Sequence, residues 1–207
     1  MDNQSKLVFI DFETFNVNLN FFSNRPWQVG MLKVEDGRLK DSFDEMLRWD
    51  SDLKISKEAA RITGYNQFVF DKKARPEKEI FQTVYDWLDG SDYIVGHNIL
   101  GFDLYLMRGW CKMYDKPYNH FFKKAVDTMA LARGLKIEMP FKPQENSFLE
   151  YQYKMISLRK KGLRTSLGAL GKYYNIHHDS SKLHDALEDL NLNLKVWRKI
   201  KLDMDRR

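Results

Sequence analysis

Only one cysteine, Cys111, occurs in the 207 residues, so no internal disulfide can hold the fold together. No apolar run approaches the roughly 18 residues that a transmembrane helix needs. The N-terminal MDNQSKLVF lacks the basic segment and long apolar core of a secretory signal. Together these absences lead us to expect a cytoplasmic chain in a reducing compartment, with no membrane partner. Internal repeats, low-complexity tracts and long linkers are also missing. The length suits one domain, residues 1–207, with a sizeable core.

Hydrophobic residues make up 43% and charged residues 30%, a balance that excludes a disordered chain. The formal net charge is +5 and the pI about 9.1. A basic chain favours an anionic partner, and nucleic acid is the first class to consider. Charge by itself does not decide it, because many basic proteins bind no polyanion.

Residues 6–12, 26–34 and 38–47 read as strands, with Asp36-Gly37 as a hairpin signal between the last two. Helices are expected over 56–63, with Ser56 as N-cap and Gly64 past its end, and over 76–90, opened by Pro76. YIVGHN (93–98) is a strand, followed by a helix from Phe102 to Tyr114. KAVDTMALARGL (124–135) is a short strand running into a helix. Further helices are expected over 147–161, over 165–176 and from Asp185 onward. A strand meander followed by alternating helices and strands implies an α/β fold, a mixed sheet with helices on both faces.

The run VFIDFETFN (8–16) poses a problem for a buried strand, because it carries Asp11 and Glu13. Residues i and i+2 of a strand share a face, so the two carboxylates point together and repel. A divalent cation such as Mg²⁺ relieves that repulsion. Two more acidic sites lie downstream. Asp103 in GHNILGFDLYLM (96–107) follows a strand and heads an apolar helix. LHDALEDLNLNL (183–194) places His184, Asp185, Glu188 and Asp189 at another helix start. There Asp185 is a plausible N-cap with Glu188 as its capping-box partner. His184 then sits on the loop and Asp189 one turn into the helix. Each motif alone has an ordinary reading: a salt-bridge partner, a helix cap, a structural histidine. Jointly they suit phosphodiester hydrolysis. Two ions about 3.5–4 Å apart activate water and stabilise the leaving oxygen, carboxylates from several elements hold them, and a histidine takes the proton.

FIDFETFN, VGHNILGFDLYLM, VDTMALAR and LHDALEDL, in this order, resemble the motifs of the DnaQ-like DEDDh 3′→5′ exonucleases, from Val8 to about Leu194. The resemblance implies an RNase H-like fold and two Mg²⁺ or Mn²⁺ ions. It also implies release of nucleoside 5′-monophosphates from a nucleic-acid 3′ end. It carries metal-ligand roles to Asp11, Glu13, Asp103 and Asp189, and the general base to His184. Phe12, Thr14, Phe15 and Asn98 fall at substrate positions and Asp127 at a supporting one; His97 is expected to be structural. The tyrosine branch of the family would carry Tyr where this chain has Asp185.

The family's usual hydroxyl residue and Gly after D-x-E-T are replaced by Phe15 and Asn16. Asn16 is expected to take the positive φ of the Gly, and Phe15 either to stack on a terminal base or to pack in the core. ETFN with RPWQVG resembles the exonuclease I branch, which acts on single-stranded DNA. Phe21, Phe22 and Trp27 are candidates for a stacking platform. Arg159, Lys160, Lys161, Arg164 and Lys172, with Tyr173 and Tyr174, form a basic segment that either tracks a phosphate backbone or is a solvated helix face. Single-stranded DNA is the expected substrate, with an RNA 3′-end trimmer or oligoribonuclease as the alternative. A non-catalytic binding module, or a subunit of a replication or repair assembly, remains open.

Overall fold

A computed structural model describes residues 5–51, 53–177 and 186–206. Its chain begins with a meander: β1 (Leu7–Thr14), β2 (Pro26–Glu35) and β3 (Arg38–Arg48) pair antiparallel in succession. Asp36 (φ 52°) and Gly37 (φ 70°) both adopt the left-handed conformation required at the centre of a type I′ hairpin turn. β5 (Tyr93–Gly96) adds parallel to β1, and β6 (Ala125–Asp127) adds parallel to β5. With the two-residue β4 (Arg75–Pro76) on the outer edge of β3, the sheet order is β4-β3-β2-β1-β5-β6. This is the mixed sheet of the RNase H-like fold.

Alternation along β1 divides the core. Val8, Ile10 and Phe12 face α3 (Glu77–Asp89), α4 (Asp103–Met113) and α5 (Asn119–Lys124). Leu7 and Phe9 face the opposite layer, made of α6 (Thr128–Lys136), α7 (Phe148–Ser157), α8 (Leu167–Tyr173) and α9 (Ala186–Asp205). α1 (Lys57–Thr63) runs from its Ser56 cap to Gly64 at φ 63°, as its end signals imply. No described helix is long and apolar enough to cross a membrane.

Several expected boundaries move. α7 ends at Ser157 and does not reach residue 161. Arg133 of α6 explains the stop: its Nη1 donates to the carbonyls of Met155 (3.1 Å) and Ile156 (2.6 Å), satisfying acceptors that a continuing helix would use. The helix expected over 165–176 spans only Leu167–Tyr173 behind its Ser166 cap. α2 (Gln67–Lys73) and α5 are short helices that the sequence reading left out. Asp185, the expected cap of α9, lies outside the described residues.

Candidate active site

Asp11 and Glu13 leave β1 on the face covered by α9. Their approach to that helix depends on the next strand. Gly30 of β2 is paired directly with Asp11 and so faces the same way. A Cβ on Gly30 would lie 2.8 Å from Ala186 Cβ and 3.0 Å from Leu190 Cδ1, so only glycine lets the first turn of α9 settle here. Asp189, in that turn, is thereby brought to the strand. Ligand oxygens of Asp11, Glu13 and Asp189 lie within 4.8 Å of one another, with Glu13 buried and the other two half-buried.

Asp103 arrives from the other side. β5 ends at Gly96 while β1 continues to Thr14, so among the described residues no strand pairs with that edge at the far end of β1. The first residue of α4 occupies the gap, and buried Asp103 Oδ1 accepts the Phe12 N–H at 3.0 Å. Burial, then the neighbouring Asp11 charge, pushes the Asp103 carboxyl well above the usual carboxylate range. Asp11 itself is raised to about 7, by burial first and by Asp189 second. Burial is the larger cause of both shifts, and a carboxylate neighbour adds to each: Asp189 at Asp11 and Asp11 at Asp103. Hard oxygen donors on three elements suit a divalent cation.

The loop that aims Asp103 is fixed by Asp127. This buried residue caps α6 through Ala130 N–H (3.1 Å) and also accepts the N–H groups of Asn98 (3.2 Å) and Leu100 (3.1 Å). Burial raises its carboxyl to about 6, with those N–H donors opposing the rise. Asn98 takes φ 63°, and its side chain lies where a Cβ on Gly101 would collide with it, 2.4 Å from Oδ1. Behind Asp127, Gln152 of α7 accepts its N–H at 2.6 Å and donates to Ala125 O at 3.0 Å. Thr128 ties α9 to this layer: its hydroxyl donates to Asn193 Oδ1 at 2.8 Å, one turn beyond Asp189, and lies 3.1 Å from His97 Nδ1. Burial lowers His97 to about 4, so its ring is neutral at physiological pH and serves as part of this brace.

These residues lie in a chain whose match to a known family is nearly complete. The family model RNase_T, described as an exonuclease, matches residues 8–197. The chain belongs to this exonuclease family. A search of curated protein sequences finds no match. Among solved structures, Escherichia coli exonuclease I in complex with a dT13 oligonucleotide superposes with a TM-score of 0.76 at 18% identity, over 98% of this chain and 42% of that one. The zinc-bound form of the E. coli enzyme with single-stranded DNA gives the same values. A product-bound exonuclease I gives a TM-score of 0.74 at 18% identity, over 98% and 45% of the respective chains. The likeness establishes the shared fold, and this exonuclease chain spans about two-fifths of the length of those proteins.

Against that background the expected site residues divide. Asp11, Glu13 and Asp189 converge, Asp103 adjoins them, and Asp127 and Asn98 lie behind Asp103. His184 lies outside the described residues. Thr14 is buried, and its hydroxyl donates to Asn16 O. Both rings at expected substrate positions are buried, and Phe15 takes its core-packing alternative. Phe12 (5% exposed) packs toward Trp110, and Phe15 (6%) packs against Phe70 and Tyr65. Strand alternation turns Phe12 away from the acids, and the Phe15 N–H bond to Arg25 O helps hold its segment against the core. Trp27 is buried too, which removes it from the candidate stacking platform. Asn16 does not take a positive φ; its N–H donates to Asn24 Oδ1 at 2.8 Å. The basic segment is no single helix face: Arg159–Lys161 form an exposed loop, and Lys172 is on α8.

Sequence reasoning missed Gly30, Gln152 and Asn193. Gly30 had a readable signal, a glycine inside a strand, which marks close approach. Gln152 and Asn193 sit in ordinary amphipathic helices and had none.

Proposed function

We propose that this chain is a metal-dependent 3′→5′ exonuclease that hydrolyses single-stranded DNA from its 3′ end. The convergence of Asp11, Glu13 and Asp189, with Asp103 beside Asp11, carries the reading. Asp11, Glu13 and Asp189 would hold one divalent ion, Mg²⁺ or Mn²⁺, and Asp11 with Asp103 a second. Ions bound there lower the pKa of water and stabilise the leaving oxygen.

The chain's own groups do the rest. Asp103 and Asp11 fix the donor positions from a helix start and a strand, elements stiff enough to hold them. His184 is assigned as the general base, taking the proton of the attacking water as its oxygen bonds to phosphorus. The bond from phosphorus to the 3′ oxygen then breaks. A nucleoside 5′-monophosphate leaves, and the shortened strand keeps a 3′-hydroxyl. Residues 1–207 act as one catalytic domain, alone or within a larger assembly.

DNA is favoured over RNA because the fold relatives were solved with dT13 and dA16 oligonucleotides. The test incubates the chain with 5′-labelled single-stranded DNA and RNA of one sequence, in Mg²⁺, Mn²⁺ or EDTA. The proposal expects a ladder shortening from the 3′ end, faster on DNA, absent in EDTA and absent in Asp11→Ala. Faster shortening of RNA identifies a 3′-end trimmer. Binding without cleavage of either strand identifies a non-catalytic module.

A further inference from the structure

A groove of about 550 Å³ lies between the loop that follows β1 and the outer face of α4. Both walls issue from the acidic cluster. The loop starts just past Thr14, and α4 begins with Asp103. Tyr105, Arg108 and Lys112 line the groove from α4, while Leu104, Met107, Trp110 and Cys111 of the same helix are buried. Gly109 explains why the loop lies so close. A Cβ there would fall 2.3 Å from Phe21 Cγ and 2.7 Å from Phe21 Cβ, so the ring rests on bare helix backbone. A glycine inside a helix costs about 1 kcal/mol, a cost that this seat explains.

With Phe21 seated, its neighbour Phe22 stands outward at 87% exposure. A lone exposed aromatic is ordinary. This one lines a groove with three cations, Arg25, Arg108 and Lys112, and no carboxylate among its lining residues. Arg25 is held in place over the Phe21 and Trp49 rings, at 5.5 and 5.0 Å. An aromatic platform whose charged lining, among the described residues, is all cationic matches a single strand of nucleic acid, whose bases stack and whose phosphates need countercharge. From Tyr105 to Met113 the groove follows α4 for about 12 Å at 1.5 Å per residue. That length takes about three stacked nucleotides at 3.4 Å each.

We propose that this groove binds the single strand immediately upstream of its 3′ end, with Phe22 stacking on a base and Arg25, Arg108 and Lys112 along the phosphates. The proposal rests on the exonuclease reading of the acidic cluster and adds how the substrate strand is held.

The test measures anisotropy of 5′-labelled dT12 in EDTA, which separates binding from cleavage, across a salt series. It compares the wild type, the triple variant Phe22→Ala/Arg108→Gln/Lys112→Gln and a control, Lys40→Gln/Lys78→Gln. All five substituted side chains are exposed. The triple variant is expected to weaken binding by about tenfold or more and to flatten the log–log salt slope by about 1.4 for two lost phosphate contacts. Phe22→Ala alone is expected to weaken binding with the slope unchanged. A triple variant that binds like the control overturns the proposal. So does wild-type self-association in sedimentation that the triple variant loses while dT12 affinity stays the same; the groove would then join two copies of this chain. Parallel reactions in Mg²⁺ separate the two claims. Cleavage with no groove effect removes the groove alone. A groove effect with no cleavage of DNA or RNA removes the exonuclease reading and the 3′-end placement with it, leaving a groove that binds single strands.

Discussion

Replacing Asp11 by Asn should stabilise the metal-free protein, and only above a defined pH. In the fold, burial and Asp189 raise Asp11 from 3.8 to about 7. The folded chain therefore binds this proton more tightly than the unfolded chain, and stability falls as pH rises from about 4 through 7. At about 1.4 kcal/mol per pKa unit the full cost above pH 7 is about 4 kcal/mol. Solvent on the open side of the half-buried carboxylate reduces it to on the order of 2–4 kcal/mol. Asn keeps the shape and removes the charge. Urea denaturation in EDTA between pH 4 and 8.5 measures the difference. The variant should exceed the wild type by 2 kcal/mol or more at pH 8, with the gap closing near pH 4. Mg²⁺ should close most of the gap, because a cation bound only to the native wild type adds about 2.7 kcal/mol at a hundredfold excess over Kd. A variant less stable than the wild type at pH 8 in EDTA, or a gap independent of pH, would refute the claim that burial and Asp189 disfavour the ionised Asp11.

Three further outcomes follow from the supporting residues. Gly30→Val forces a side chain into the first turn of α9, where even a Cβ would lie 2.8 Å from Ala186 Cβ. It should cost about 1–3 kcal/mol in thermal unfolding and depress cleavage by moving Asp189, with Gly30→Ala milder in both. Gln152→Leu leaves the Asp127 N–H and Ala125 O without their partner. Its expected loss is about 3 kcal/mol by chemical denaturation, with kcat reduced more than KM as Asp103 loses its frame. Asp127→Ala frees the Asn98 and Leu100 N–H groups; hydrogen exchange at both amides should accelerate, and unchanged protection would count against the brace.

How much of this was readable from the sequence depended on the kind of signal. The meander was legible because two strand-like segments flank Asp36-Gly37, a pair that favours a two-residue hairpin turn. The acidic cluster was legible because each carboxylate sits at a strand end or helix start, where its direction is fixed locally. Lengths set by tertiary contacts were not. Nothing between residues 147 and 161 announces that Arg133, from another helix, will take the last carbonyls of α7. The aromatics after D-x-E were ambiguous for a related reason. Phe15, Phe22 and Trp27 are all apolar rings near a site motif, yet Phe15 and Trp27 are buried and only Phe22 is exposed. Hydrophobicity cannot separate those fates, whereas the packing of Phe21 on Gly109 can.

The central claim is that Asp11, Glu13, Asp103 and Asp189 form one divalent-metal centre. Mn²⁺ titration followed by electron paramagnetic resonance, on the wild type, Asp11→Asn and Asp189→Asn at pH 8, tests it most directly. Saturable binding in the wild type, weakened at least tenfold in both variants, is the predicted result. Equal Mn²⁺ affinity in all three proteins would contradict it.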